Sequence, residues 1–225
     1  MIIAIDGPAA SGKSTVAKAV AKRLGFEYVD TGSMYRALTW KALKEGIDVS
    51  DEKALARLAK ASRIKFLRPK NGEFRILIDS EDVTEEIRSP KVSGAVSAVS
   101  RVPDVRQAMV EMQRGFKRKG RSLVVEGRDI GTVVFPDAEL KIYLTATVEE
   151  RARRRYRELV AKGFEVELEV IERDIIARDK LDTTRRVSPL TKAPDAVTID
   201  TTDKTADQVV EEIAGLAERF RKRGL

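Results

Sequence analysis

The sequence predicts an α/β fold: a parallel sheet flanked by helices, with a smaller module inserted into it. Three observations carry that expectation. The chain opens MIIAIDGPAASGKST, an apolar run that breaks into a glycine-rich turn and then into a helix-spaced segment. A second strand-then-helix unit follows directly, and successive units of this kind build parallel sheets. Near the middle, IKFLRPKNGEFRILI sets two strand-like runs around Asn71-Gly72, a strong hairpin signal. A hairpin has no place inside a doubly wound sheet, so Ser62 to Val83 reads as part of an insertion.

In order along the chain, Ile2 to Ile5 reads as a buried strand, and Val16, Val20 and Leu24 recur at helical spacing before Gly25 stops the helix. Phe26 to Val29 is a second strand that leads into Asp30-Thr31-Gly32, and Met34 to Leu43 has helical character. Glu85 to Lys119 reads as mostly helical, interrupted near Pro90 and Pro103. Ser122 to Glu126 and Leu140 to Leu144 resume buried-strand character, ERARRRYRELVAKG is a very basic helix, and Ala196 to Ile199 is a last strand before an amphipathic helix. No internal repeat, low-complexity tract or long linker interrupts this order.

Composition bounds the chemistry. At 225 residues the chain accommodates one α/β core with insertions. It has neither cysteine nor histidine, which excludes disulfides and thiolate metal sites, and removes the usual general base at neutral pH. The net charge of +7 fits an anionic partner, whether nucleic acid, a membrane surface or a phosphorylated small molecule. No apolar run is long enough to cross a bilayer, and the strand beginning at Ile2 leaves no room for a secretory signal. The expectation is a soluble, cytoplasmic chain. Amides are scarce: Asn71 is the only asparagine, and Gln107, Gln113 and Gln208 are the only glutamines. That bias suggests a thermophilic source.

Gly7 to Ser14, GPAASGKS, satisfies Gly-x-x-x-x-Gly-Lys-Ser in its required context, after a strand and opening a helix. The glycines let the backbone turn its amides toward one point, and the helix N-terminus adds positive potential. Lys13 can then reach β- and γ-phosphates, and Ser14 can ligate magnesium. The site expected over Gly7, Pro8, Ala9, Ala10, Ser11, Gly12, Lys13, Ser14 and Thr15 is one for a nucleoside triphosphate. The Asn-Lys-x-Asp and Asp-x-x-Gly patterns of GTPases are both absent.

Three further segments bear on where the phosphoryl group goes: DTGSMYR at Asp30 to Arg36, EGRDIGTVVFPDA at Glu126 to Ala138, and ARDKLDTTRRVSP at Ala177 to Pro189. Each places an arginine in an expected loop or helix start. A phosphate monoester dianion is best held by several guanidinium forks, which makes Arg36, Arg128 and Arg185 candidates for an acceptor phosphate. Two other readings stay open on the residues alone. A nucleic-acid-binding ATPase would use the net charge and the arginine-dense helix, though aromatics are sparse for base stacking. A kinase of an alcohol, such as a sugar or a shikimate-like acceptor, would need a general base and no cluster of arginines.

Taken together, the glycine-rich loop, DTGSMYR, GRDIGTVVFPDA and RDKLDTTRRVSPL resemble the bacterial cytidylate kinases, nucleoside monophosphate kinases, over nearly the whole chain. The resemblance implies a P-loop NTPase core with a parallel five-stranded sheet, about 1–35, 120–147 and 165–225. It implies an NMP-binding insertion at about 36–119 and a short mobile lid at about 148–164. The implied reaction moves the γ-phosphoryl of ATP to CMP or dCMP with Mg2+ in a monomer, with no nucleic acid or membrane as partner. By position, Arg36, Arg128 and Arg185 would grip the acceptor phosphate; Ser97, Arg106 and Asp129 would surround cytosine; Arg178 and Asp182 would reach the sugar; and Thr31 and Tyr35 would line the same substrate site. Thr31 stands where the family commonly has serine, and Leu181 and Thr183 stand where more polar or charged residues are common. Arg151 and Arg154 share one helix face in the expected lid; Arg154 is counted among the catalytic candidates, while which lid arginine meets the transferred group stays open. Glu126 either adds a carboxylate to the magnesium shell with Ser14 or caps a turn.

The base assignment has its own physical support. Cytosine offers an exocyclic amine for the Asp129 carboxylate, whereas uracil would turn a carbonyl toward it. The missing histidine is explained as well: an acceptor phosphate is already an oxyanion at neutral pH, so no side chain need take a proton from it.

Overall fold

The computed structural model describes residues 1–67 and 74–223. Its larger sheet has five strands in the order β2-β6-β1-β7-β8, formed by β1 (Ile2–Asp6), β2 (Glu27–Asp30), β6 (Leu123–Gly127), β7 (Leu140–Thr145) and β8 (Val197–Asp200). β1 runs parallel to both β6 and β7, and β7 runs parallel to β8. As the central strand of a parallel sheet, β1 is covered on both faces, which explains why Ile2, Ile3, Ala4 and Ile5 are all buried and apolar in succession. The strand order reverses direction at β1, and in such sheets ligands bind beyond the carboxyl ends of the strands at the reversal. Asp6 pairs with Gly127, so the glycine-rich loop and the segment at Arg128 leave neighbouring strand ends.

Helix α1 (Lys13–Leu24) ends where expected, with Gly25 in the left-handed conformation at φ 69°. α1 packs against α8 (Ala206–Arg223), and α6 (Val148–Ala161) packs against α7 (Leu168–Thr184). Two compact units emerge, Met1–Tyr28 with Lys119–Leu225, and Val29–Arg118.

The Val29–Arg118 unit holds α2 (Thr31–Lys44), α3 (Glu52–Ala61), a small antiparallel sheet, α4 (Pro90–Arg101) and α5 (Pro103–Arg114). Its sheet has the order β3-β4-β5, from β3 (Ile64–Leu67), β4 (Arg75–Ile78) and β5 (Glu81–Asp82). β3 and β4 are the two expected strands and pair antiparallel; the expected Asn71-Gly72 turn lies outside the described residues. β5, a two-residue pairing with β4, is too short to leave a periodicity.

One helix was missed and one expected placement is corrected. α3 was not anticipated, although Asp51 caps it by accepting a hydrogen bond from the Ala54 N–H and its buried Leu55, Leu58 and Ala59 lie on one helix face. The helical stretch breaks near Pro90 and Pro103 as expected, and each proline is the first residue of the next helix, where a missing N–H costs nothing. Arg36 sits in the second turn of α2, because Asp30 caps that helix by accepting from the Ser33 N–H, which starts it at Thr31.

Candidate active site

The loop after β1 is shaped for backbone donors. A Cβ on Gly7 would lie 2.1 Å from the Leu144 carbonyl oxygen of β7, so only glycine allows the loop to pass that strand. Gly12 (φ 88°) and Ala10 (φ 57°) both lie in the left-handed region. No side chain among the described residues caps the first turn of α1, which leaves its N–H groups for an anion. Lys13 is buried and folds back on its own loop, with Nζ donating to the Pro8 carbonyl at 2.6 Å and to Ser11 Oγ at 3.4 Å. Burial, and then the guanidinium of Arg128, hold its ammonium well below the usual lysine range, against the pull of Glu126, Asp6 and Asp182. A phosphate anion bound at this loop would add counter-charge beside Lys13 and favour its ammonium form.

Ser14 and Glu126 come together: Ser14 Oγ donates to Glu126 Oε2 at 3.0 Å. The other carboxylate oxygen accepts from the Tyr28 hydroxyl, which fixes Glu126 at the end of β6. Two hard oxygen donors beside a phosphate-shaped loop fit magnesium, which uses few protein ligands and keeps phosphate oxygens and waters for the rest.

Beyond β6 the chain makes one π-helical turn, Ile130–Val134, with Asp129 at its head. Asp6 caps this turn from the end of β1: its carboxylate accepts the N–H groups of Ile130 at 2.8 Å and Gly131 at 2.7 Å. Burial raises the Asp6 carboxyl from 3.8 to about 6 against those two hydrogen bonds.

Around the turn is a network of charges. Arg128 Nε donates to Asp182 Oδ2 at 2.8 Å, Arg185 Nη1 lies 3.6 Å from Asp182 Oδ1, and Arg185 Nη2 lies 4.0 Å from Asp129 Oδ1. Burial pushes the Asp182 carboxyl up, but Arg128, Arg178 and Arg185 together bring it below the usual carboxylate range. Arg185 itself follows the last residue of α7 and donates through Nε to the Ser188 carbonyl at 2.5 Å. Arg128, Asp129, Asp182 and Arg185 therefore form one cluster, with Arg178 close enough to act on it electrostatically.

Helix α6 reaches the same end of the sheet. Arg154 donates from Nη1 to Thr201 Oγ1 at 2.9 Å and pairs with Glu150 at 3.0 Å. Its Nη1 would lie 3.7 Å from a Cβ at Gly12. Arg151, one turn earlier, is buried.

Thr31, Tyr35, Arg36, Ser97 and Arg106 belong to the Val29–Arg118 unit. There the Arg106 guanidinium lies over the Tyr35 ring, 5.3 Å from its centroid, and donates to the Ser100 carbonyl at 3.1 Å. Arg36 donates to Ser93 Oγ at 2.9 Å, across from α2 to α4. Thr31 is the first residue of α2 and is buried, and Ser97 sits on α4 with its carbonyl accepting from Ser100 Oγ at 3.3 Å.

Sequence reasoning missed Asp6, Tyr28 and Thr201, and it placed Arg151 in the lid without its contact to the glycine-rich loop. Asp6 left a signal, a lone carboxylate closing an otherwise apolar strand. Tyr28, Thr201 and the loop contact of Arg151 involve partners 98, 47 and 142 residues away in sequence, which no local pattern records. Among the described residues, no helix is long and apolar enough to cross a membrane.

Among solved structures, a protein from Eubacterium ventriosum described as uncharacterized aligns over 97% of this chain and 98% of its own, with a TM-score of 0.51 and 14% identity, a likeness of fold alone. A cytidylate kinase from Pelotomaculum thermopropionicum is 51% identical over 220 residues, covering 98% of this chain and 97% of its own. One from Listeria monocytogenes is 54% identical over 217 residues, covering 96% and 95%. The family profile described as cytidylate kinase matches residues 3–219. With half of the positions identical across nearly the full length of both relatives, the chain belongs to the cytidylate kinase family.

Proposed function

We propose that this kinase transfers the γ-phosphoryl group of ATP to CMP or dCMP, releasing ADP and CDP or dCDP. One observation carries the reading beyond family membership. The Lys13 loop and the segment bearing Arg128 and Asp129 leave adjacent strand ends, where Asp6 pairs with Gly127, and Asp182 and Arg185, at the end of α7, pair with that segment. A triphosphate cradle thus stands beside arginines suited to a second phosphate.

In this reading the loop amides and Lys13 hold the β- and γ-phosphates of ATP. Arg128 and Arg185 exchange part of their pairing with Asp182 for the acceptor phosphate, and Asp129 accepts the cytosine amine. The acceptor oxygen attacks the γ-phosphorus in line and ADP leaves. No side chain takes a proton, because the attacking oxygen is already anionic. What the chain contributes is alignment and cancellation of charge. Ser14 and Glu126 would hold magnesium, which when bound neutralises charge on the β- and γ-phosphate oxygens. We assign Thr31, Tyr35, Arg36, Ser97 and Arg106 to the acceptor, and Arg178 to its sugar, on family membership. Arg154, on α6 beside the loop, is assigned to the transferred group, in a lid spanning about 148–164. The same reading makes nucleotides the partners, the chain a monomer and the cytoplasm its setting.

A coupled assay of ADP release over CMP, dCMP, UMP, AMP, GMP, shikimate and DNA tests this. CMP and dCMP should give the highest kcat/KM, and turnover without an acceptor should fall to background, since an open site would waste ATP on water. Turnover stimulated by shikimate or DNA instead, or equal with and without CMP, would overturn it.

A further inference from the structure

Arg151 has a role in none of the steps above, yet it is among the most buried charges in the molecule, at 4% exposure. Its guanidinium is used in three directions. Nε donates to the Ala146 carbonyl at 3.1 Å, Nη1 donates to the Ala9 carbonyl at 3.1 Å, and Nη2 lies 2.7 Å from Asp179 Oδ2. One side chain near the start of α6 thus joins the end of β7, the glycine-rich loop and α7. An ion pair this buried is a poor source of stability, because desolvation offsets most of the Coulomb attraction. It is a good source of geometry, because the planar guanidinium fork fixes the direction of each hydrogen bond.

The contact at Ala9 bears on the loop's chemistry. In a trans peptide the N–H of the next residue points opposite to the C=O, and no peptide bond among the described residues is cis. Holding the Ala9 carbonyl on one side therefore turns the Ala10 N–H to the other. Ala10 itself has φ 57°, a left-handed conformation that a residue with a Cβ keeps only when its surroundings impose it. The Ser11 carbonyl is held more weakly: Thr201 Oγ1 shares its one hydrogen between the Ser11 carbonyl at 3.3 Å and the Thr145 carbonyl at 3.1 Å, and accepts from Arg154 at 2.9 Å.

We propose that Arg151 is a positioning residue for the phosphoryl donor, holding the Ala9 carbonyl so that the Ala10 N–H faces the triphosphate. The inference rests on the reading of the loop as the ATP site. It predicts a defect confined to the donor: the acceptor cluster of Arg128, Asp129, Asp182 and Arg185 makes no hydrogen bond to Arg151 among those described.

The test compares wild type, Arg151→Met and Arg151→Lys in the full chain, measuring KM for ATP and for CMP, kcat, and calorimetric affinity for ATP and for inorganic tripolyphosphate. Arg151→Met should raise KM for ATP tenfold or more and leave KM for CMP within twofold. Affinity for tripolyphosphate should fall in step with that for ATP, which locates the defect at the phosphates and not at the base. Arg151→Lys, able to reach Ala9 or Asp179 but not both, should fall between. A melting temperature that drops while both KM values hold would reduce Arg151 to a structural residue and overturn the proposal, as would equal weakening of ATP and CMP. If Arg151→Met does not fold, Arg151→Lys decides, with Asp179→Asn expected to shift KM for ATP in the same direction by less; unchanged ATP affinity in Arg151→Lys overturns the proposal. Failure of wild type to bind ATP is a separate result, visible before any variant is made, and removes the functional reading and this inference together.

Discussion

The loop at Gly7–Ser14 and the cluster at Arg128, Asp129, Asp182 and Arg185 are both assigned to phosphate in the reading proposed above, and they would hold it by opposite means. The loop works with backbone. Its shape depends on a close approach of Gly7 to Leu144, on positive φ at Ala10 and Gly12, and on the Ala9 carbonyl held by Arg151. The cluster works with long side chains whose charges are already partnered, Arg128 and Arg185 sharing Asp182. A donor held by the loop meets amides that need not move, whereas an acceptor phosphate must win guanidinium groups from a carboxylate. The loop is therefore expected to fail all at once, and the cluster by degrees.

The sharpest way to break the loop is Gly7→Ala. The new methyl would overlap the Leu144 carbonyl at 2.1 Å, and relief requires moving either the loop or the end of β7. A loss of about 3 kcal/mol or more in stability is expected, in the upper range for overpacking, together with loss of measurable ATP binding. Urea unfolding and calorimetry on the same preparation check both; near-native values for either would show a loop more pliant than its contacts suggest.

Asp6 is the joint between the two regions, since it ends the strand before the loop and caps the turn that Asp129 heads. Its carboxyl is raised from 3.8 to about 6, so between those values the native state keeps a proton that the unfolded chain has released. Stability from this group therefore falls as pH rises through that window and is level above it. The total is about 3 kcal/mol for a shift of this size. Asp6→Asn removes the titration, so the stability difference between wild type and variant should move against wild type from pH 4 to pH 6. A difference that stays flat across those pH values would show that Asp6 does not titrate there.

In the cluster, Arg185→Lys is expected to be milder. A lysine keeps the charge and loses the fork, and kcat/KM for CMP should fall about a hundredfold, with KM for ATP unchanged. An equal loss on the ATP side would mean that the two regions are not separable in the way proposed.

The same contrast decides what could be read in advance. The loop was legible because its determinants are contiguous: eight residues, two glycines, a lysine and a serine, in a strand-to-helix context. The five-stranded sheet was legible for a similar reason, since central parallel strands such as Ile2–Asp6 and Leu123–Gly127 are buried on both faces and read as apolar runs. The cluster was not legible from spacing. Arg128 and Asp182 are 54 residues apart, and in an arginine-rich chain Arg128 and Arg185 stood out as candidates only through the segments that carry them, with nothing to show that they meet. Arg151 shows the limit more plainly. Within RARRRYREL it is one of several arginines, but its helix turns it inward onto Ala9 and Asp179, 142 residues back and 28 onward. Arg36 was expected in a loop or helix start because the Asp30 cap, which begins α2 at Thr31, was not weighed.

The finest distinction falls on Asp129, and it tests whether the cluster reads a base as well as holding a phosphate. Asp129 is 4% exposed, and its Oδ1 lies 4.0 Å from Arg185 Nη2, near enough to feel that charge but too far for a hydrogen bond. A carboxylate in that position can accept the exocyclic amine of cytosine, whereas uracil would set a carbonyl against it and leave two buried acceptors without a proton. Sites that rely on such a hydrogen bond reject the mismatch strongly, because the group left unpaired pays its full desolvation. Asp129→Ala removes the partner for cytosine and the repulsion for uracil together. The preference for CMP over UMP in kcat/KM should therefore shrink by roughly tenfold, the arithmetic of about 1.4 kcal/mol. Most of that change should come from a gain on UMP if repulsion dominates, and from a loss on CMP if the hydrogen bond does. An unchanged ratio would leave Asp129 as no more than a counter-charge for Arg185, and base recognition would have to be sought in the Val29–Arg118 unit, at Ser97 and Arg106.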